Sequence, residues 1–149
     1  MNIATSIEQY NCNYVFLCDS VKNNVMADGS FTRVLYSTDT MVLNGIYLIV
    51  PIHDCNCEKY YNKFRCNFSV KFHQAMLDHL KSIETTILQM ANIQNKHMQL
   101  KITDQLANGN IKVFDDISSF TNCAFILKIS GIWETSNNYG LTYKFILAK

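Results

Sequence analysis

Proline is nearly absent from this sequence. Pro51 stands alone among 149 residues, and glycine occurs only five times. Collagen-like, proline-rich and glycine-rich architectures are thereby excluded. Charge of one sign is missing too. Thirteen Lys and Arg balance twelve Asp and Glu, so there is no basic arm, acidic tail or supercharged surface. Long apolar runs are equally lacking. The most apolar stretch, residues 41–52, is interrupted by Asn44 and Gly45. It falls well short of the roughly 20 residues that a membrane-spanning helix needs. Met1 to Tyr10 show no cationic start followed by an apolar run, so no secretory signal is expected. An intracellular setting with no membrane partner is the expectation.

What is present is core material. The hydrophobic fraction is 48% and the aromatic fraction 12%, enough to argue against disorder. Asn, Ile, Lys, Tyr and Phe, all residues of AT-rich codons, are abundant. Six cysteines occur, at 12, 18, 55, 57, 66 and 123. Without a secretory signal they are expected as reduced, packed thiols.

Residues 1–30 read as a polar, irregular extension packed on the domain, with a short apolar piece at Tyr14–Leu17 and a turn signal at Asp28-Gly29. From Phe31 onward the pattern is β-rich. Strands are expected at 31–36 and 41–50, and His53–Asn62 reads as a polar loop. Phe64, Cys66, Phe68, Val70 and Phe72 alternate with Arg65, Asn67, Ser69 and Lys71, which predicts a half-buried strand. The period then changes. Met76, Leu80, Ile83, Ile87 and Met90 fall at helical spacing, predicting one long amphipathic helix that ends near Asn92–Asn95. Strands follow at 98–103 and 111–114, then a loop from Asp115 to Asn122. A final hairpin of long strands spans 124–133 and 140–147, with Gly131 marking a bulge or a close backbone approach.

Strands, one helix, then strands, without βαβ alternation, disfavour a parallel doubly wound sheet. The expected class is β-rich α+β. Its architecture would be an antiparallel OB-like barrel or curled sheet with one long amphipathic helix, as a single domain over 31–149.

Four groups of residues bear on chemistry. His53-x-Cys55-x-Cys57 offers zinc-type ligands, but the one-residue gap is poor for chelation and no second pair follows. No Gly-x-Ser-x-Gly or comparable nucleophile context exists, and Asp115-Asp116 reads as a solvated turn, so no enzyme is expected. Residues 59–72 hold Lys59, Lys63, Arg65 and Lys71 near Tyr60, Tyr61, Phe64 and Phe68. Cations grip phosphates and rings stack on bases, which is what single-stranded nucleic acid requires. The bland alternative is that the phenylalanines are core and the cations a solvated face. Lastly, Lys128 and Ser130 can share a face with Thr142 and Lys144, with Trp133 and Tyr139 near the hairpin tip.

Gly131-Ile132-Trp133, a short polar loop, then Tyr139-Gly140-Leu141-x-Tyr143-Lys144 resembles a known pattern. It is similar to the C-terminal hairpin of OB-fold-like single-stranded DNA-binding proteins of large DNA viruses. The likeness covers that hairpin alone. It implies sequence-tolerant binding of single-stranded DNA in viral-type replication or recombination, in a host nucleus or cytoplasm. It also implies that Trp133, Tyr143 and Lys144 lie on or beside the binding hairpin. The acidic tail of several such binders is not matched by Ala148-Lys149, so tail-mediated recruitment is not expected.

The expected binding set is therefore Lys59, Tyr60, Tyr61, Lys63, Arg65, Lys71, Lys128, Trp133, Tyr139, Tyr143 and Lys144. The expected partners are single-stranded DNA and further copies of the chain, and no cofactor is called for. The alternatives are a viral protein–protein or structural module, and, last, a small enzyme using Cys or His in a cleft.

Overall fold

The structure, a computed structural model, describes residues 4–22, 29–61, 63–113 and 123–147. Among these residues the chain is β-rich, with twelve strands and two α-helices. One sheet is nine-stranded and mixed, and a second is three-stranded and antiparallel. No helix among them is long and apolar enough to cross a membrane.

The large sheet is built around β11 (Cys123–Glu134), which turns back on β12 (Asn138–Leu147) as a long antiparallel hairpin. The opposite edge of β11 is shared by two strands. Residues 123–129 pair with β6 (Ile46–Ile52), and residues 131–134 pair with β4 (Ser30–Ser37). Alternation explains the burial. Phe125, Leu127 and Ile129 of β11 are buried together with Ile46, Leu48, Val50 and Ile52 of β6. Each such side chain contributes about 1.5–3 kcal/mol when removed from water.

Short strands complete this sheet. β1 (Thr5–Ser6) runs parallel to β6, and β9 (His97–Gln99) runs parallel to β12. β2 (Val15–Leu17), β3 (Val21–Lys22) and β5 (Val42–Leu43) attach to β4. The small sheet has the order β10-β8-β7, with β7 (Asn56–Tyr60), β8 (Lys63–Asn67) and β10 (Asn110–Val113). The helices are α1 (Gln74–Met90) and α2 (Lys101–Ala107). α1 lies where the helical period places it and buries Leu77, Leu80, Ile83, Ile87 and Leu88.

Several expectations are corrected. The large sheet is mixed, and among the described residues it does not close into a barrel. Residues 4–22 are more regular than expected: they supply β1, β2 and β3, with β2 inside the apolar piece at Tyr14–Leu17, and they send Ile7 and Val15 into the core. The alternating run from Phe64 stops being a strand after Asn67. There the Phe68 N–H turns to the Gly109 carbonyl at 2.9 Å, and the chain bends into α1. Phe72, expected in the core, is consequently 68% exposed.

The supposed loop at 53–62 contains β7, which puts Cys57 directly opposite Cys66. The two form a disulfide, with Cα atoms 4.0 Å apart. Cys55 is also disulfide-bonded, whereas Cys12 and Cys18 are free thiols. The expectation of reduced thiols thus fails for Cys55, Cys57 and Cys66. The Asp28-Gly29 turn and the 115–122 loop fall wholly or partly outside the described residues.

The second helix replaces an expected strand at 98–103. Its N-cap residue, Leu100, has no side-chain oxygen to accept from the first free N–H groups. A residue of α1 does it instead. Glu84, 1% exposed, accepts from the Ile102 N–H at 3.0 Å, the Thr103 N–H at 3.0 Å and the Thr103 hydroxyl at 2.6 Å. Burial pushes the Glu84 carboxyl above its ordinary value, and these hydrogen bonds pull it back only in part. Glu84→Ala strands one buried and one part-buried N–H group and should cost about 2–3 kcal/mol in urea unfolding. A carboxyl raised on folding contributes stability that is present below its unfolded pKa and lost as pH rises through the folded one. Relative to Glu84→Gln, the wild type should therefore lose stability from about pH 4, the ordinary Glu range, toward neutrality. A gain over that interval would refute the assignment.

Candidate nucleic-acid interface

Directly paired residues in a sheet share a face, and their side chains meet. Register therefore builds the site without further assumption. Tyr47, Lys128 and Lys144 form one row across β6, β11 and β12. Arg33, Gly131 and Thr142 form the next, across β4, β11 and β12. Val21, Phe31, Trp133 and Gly140 form a third, across β3, β4, β11 and β12.

These rows lie on one face because of an irregularity in β11. Ile129 pairs with Tyr143, but Gly131 pairs with Thr142, so β11 advances two residues while β12 advances one. Ser130 and Gly131 together oppose Thr142, which is a β-bulge. Burial confirms the change of phase. Ile129 and Ile132 are both interior, three residues apart.

Glycine shapes the third row. A Cβ on Gly131 would overlap the Phe31 ring and the Thr32 carbonyl. A Cβ on Gly140 would lie 2.9 Å from Trp133 Cζ2 and 3.0 Å from the Gln99 carbonyl. Phe31 and Trp133 thus each reach over a residue without a side chain, and both are half-buried.

Around them stand the cations. Lys128 Nζ sits 5.6 Å from the centroid of the Tyr47 ring. Arg33 gives one N–H to Asn44 Oδ1 at 2.6 Å and is exposed, as is Lys144. Lys128 and Lys144 are direct cross-strand partners, an arrangement that costs stability because like charges face each other. The three rows contain no Asp or Glu.

The small sheet adds a second cationic face. Glu58, Arg65 and Lys112 are mutual partners across β7, β8 and β10, and Lys63 shares their side of β8. Arg65 and Glu58 form an ion pair at 3.4 Å. Lys112 and Lys144, from different sheets, line the same cleft of about 330 Å³ together with Gln105, Tyr143 and Phe145.

Of the predicted residues, Lys128, Trp133 and Lys144 come together on the large sheet. Lys63 and Arg65 share the outer face of the small one, and Tyr61 stands 81% exposed at the β7–β8 turn with φ +58°. The others are placed differently. Lys59 pairs with Phe64 and so lies on the side of β7 opposite Arg65. Lys71 is in the bend before α1, off the strand it was assigned to. Tyr139 pairs with Glu134, is 6% exposed and cannot present its ring to a base. Tyr143 faces away from Lys144 and donates its hydroxyl to Gln105 Oε1 at 2.5 Å. Its phenol is pushed up to about 12, chiefly by burial and then by Glu84 and Asp104. Tyr60 is the last residue of β7, and its side chain lies outside the described residues. Sequence reasoning missed Phe31, Arg33, Tyr47 and Lys112. The alternation of Phe31 with Arg33, and of Lys112 with Ile111 and Val113, was the available signal.

A separate cleft of about 450 Å³ is lined by His53, Phe72, His73, Met76 and His79, among others. His73 holds a fixed neutral tautomer there. Its Nδ1–H gives to the Ser69 carbonyl at 2.7 Å, and its Nε2 accepts from the His53 N–H at 3.0 Å. Both ring nitrogens are committed to the fold. Oxidation of Cys55 and Cys57 likewise removes the thiolates on which a zinc reading of His53-x-Cys55-x-Cys57 depends. None of the predicted nucleic-acid residues lines this cleft.

No protein family, curated protein or solved structure matches the chain.

Because Trp133 is the sole tryptophan, its fluorescence reports the platform directly. Gly140→Ala should displace the indole from the sheet and shift its emission to longer wavelength while far-UV circular dichroism is kept. An unchanged spectrum would mean that the ring does not rest on Gly140.

Proposed function

We propose that this protein binds single-stranded DNA without sequence preference on the ring-and-cation face of its large sheet. Phe31 and Trp133 are the stacking rings, and Arg33, Lys128 and Lys144 hold phosphates. The observation that carries the reading is the cross-strand pair Lys128–Lys144 beside two rings that reach over glycines, on a face whose paired rows hold no carboxylate. Such a pair is unfavourable in the free protein and is relieved by an anion between the two ammonium groups. The near-neutral total charge is no obstacle, because counterion release depends on the cations at the contact. The relation to OB-fold binders belongs to this proposal. It rests on a sheet face that offers rings and cations, as OB folds use. The setting, viral-type replication or recombination, comes from the hairpin resemblance.

Oligothymidylate should quench Trp133. With three phosphate contacts, log affinity should fall against log salt with a slope of about −2. Lys144→Glu converts a repulsive pair into an attractive one. The free protein should gain about 0.5 kcal/mol, while oligothymidylate binding weakens about tenfold or more. A protein stabilised with undiminished binding, or no quenching at tens of micromolar, would overturn the reading.

One observation favours a second reading, a protein–protein or self-association module. Phe16, 60% exposed, pairs with Leu35, and Val42, 64% exposed, pairs with Ser37 on the same side of β4. If that apolar patch joins copies of the chain, size exclusion without DNA should show an oligomer that Phe16→Ser dissociates. A monomer would remove this alternative.

A further inference from the structure

We infer that the ligand is a strand long enough to cross both sheets, with the Lys112–Lys144 cleft as the crossing point and Tyr61 as a distal stacking contact. This rests on the single-stranded DNA reading above and extends it to the length and path of the strand.

The three rows of the large sheet are compact. Gly140 to Lys144 covers four residues of β12, about 13 Å at the strand rise, and neighbouring strands lie about 5 Å apart. A surface of that size accommodates a short stretch of polynucleotide. Lys144 stands at its margin, on β12, and no strand pairs with β12 on that side beyond Gly140 among the described residues. The margin opens into the cleft that Lys144 shares with Lys112.

Lys112 carries the path onto the small sheet. Its direct partner is Arg65, another cross-strand pair of like charges. Glu58 lies on the other side of Arg65 and pairs with it at 3.4 Å. Lys63 lies two residues further along the same side of β8, and the β7–β8 turn then presents Tyr61. Arg65 to Lys63 adds two residues, about 7 Å more at the strand rise, and Tyr61 follows at the turn. Cations at Lys128, Lys144, Lys112 and Arg65 thus form a chain between a ring platform at one end and a ring at the other. The total path, on the order of 30 Å with the cleft included, sums these strand rises and spacings. It needs a strand longer than the shortest of the roughly 4–16 nucleotides that single-strand sites take.

The test compares oligothymidylates of about four and about ten nucleotides, within the range of known site sizes. Fluorescence anisotropy of end-labelled oligomers is read on wild type, Lys112→Glu and Tyr61→Ala. Both positions are solvent-facing, and circular dichroism checks that the variants are folded. The wild type should bind the longer oligomer at least tenfold more tightly, beyond the statistical gain from extra registers. Each substitution should shrink that ratio several-fold. A ratio near the statistical value in the wild type would overturn the extended path while leaving the large-sheet site standing. Equal losses for both oligomers in the variants, with the ratio unchanged, would overturn it as well. Failure of the wild type to bind either oligomer would remove the DNA reading itself, and this inference with it.

Discussion

The constraint on which the site depends is the register shift at Ser130. Lys128 and Trp133 are five residues apart, and in an unbroken strand an odd separation puts side chains on opposite faces. The extra residue reverses the phase. Trp133 then joins Lys128, Lys144 and Thr142, while Ile129 and Ile132 both stay inside. The same point is where the other edge of β11 exchanges β6 for β4. Backbone groups along β11 must find partners on both sides, and on this edge two strands, both antiparallel to β11, supply them in turn on either side of the bulge.

From that geometry follows a surface whose chemistry differs from the average of the chain. Net charge is +1, yet two cross-strand cation pairs, Lys128–Lys144 and Arg65–Lys112, occur in neighbouring sheets. Folding for stability alone would place opposite charges at such positions. Glu134, the acid nearest in sequence to Trp133, is instead on the opposite face and bound to Lys96. Glu84 is withdrawn into the seam between α1 and α2. These two acids are thus tied into joints of the fold, while Arg33, Lys128 and Lys144 stand on the face of the large sheet.

The parts of this arrangement visible in the sequence were those with long, clean periods. α1 and the β11–β12 hairpin were legible because Leu80, Ile83 and Ile87, or Phe125, Leu127 and Ile129, repeat at the spacing of their element. α2 was not, because its seven residues carry only Ile102 and Leu106 as buried anchors and its cap comes from Glu84, far off in sequence. β7 was hidden by polar composition, and with it the pairing of Cys57 and Cys66. Gly131 signalled a close approach, but nothing in the local sequence identified Phe31 as the group that approaches. Tyr139 was misread because alternation counted from the hairpin tip does not say which face meets the helices.

Phe31 and Trp133 belong to segments separated by most of the sequence. Trp133 meets Gly140 within its own hairpin, but Phe31 has no resting place on Gly131 until β4 has docked on β11. The two-ring platform therefore depends on a contact of very long range, which is slow to form. Before that docking the Phe31 ring has no glycine floor beneath it, so the paired platform is a property of completed tertiary structure and not of the hairpin alone.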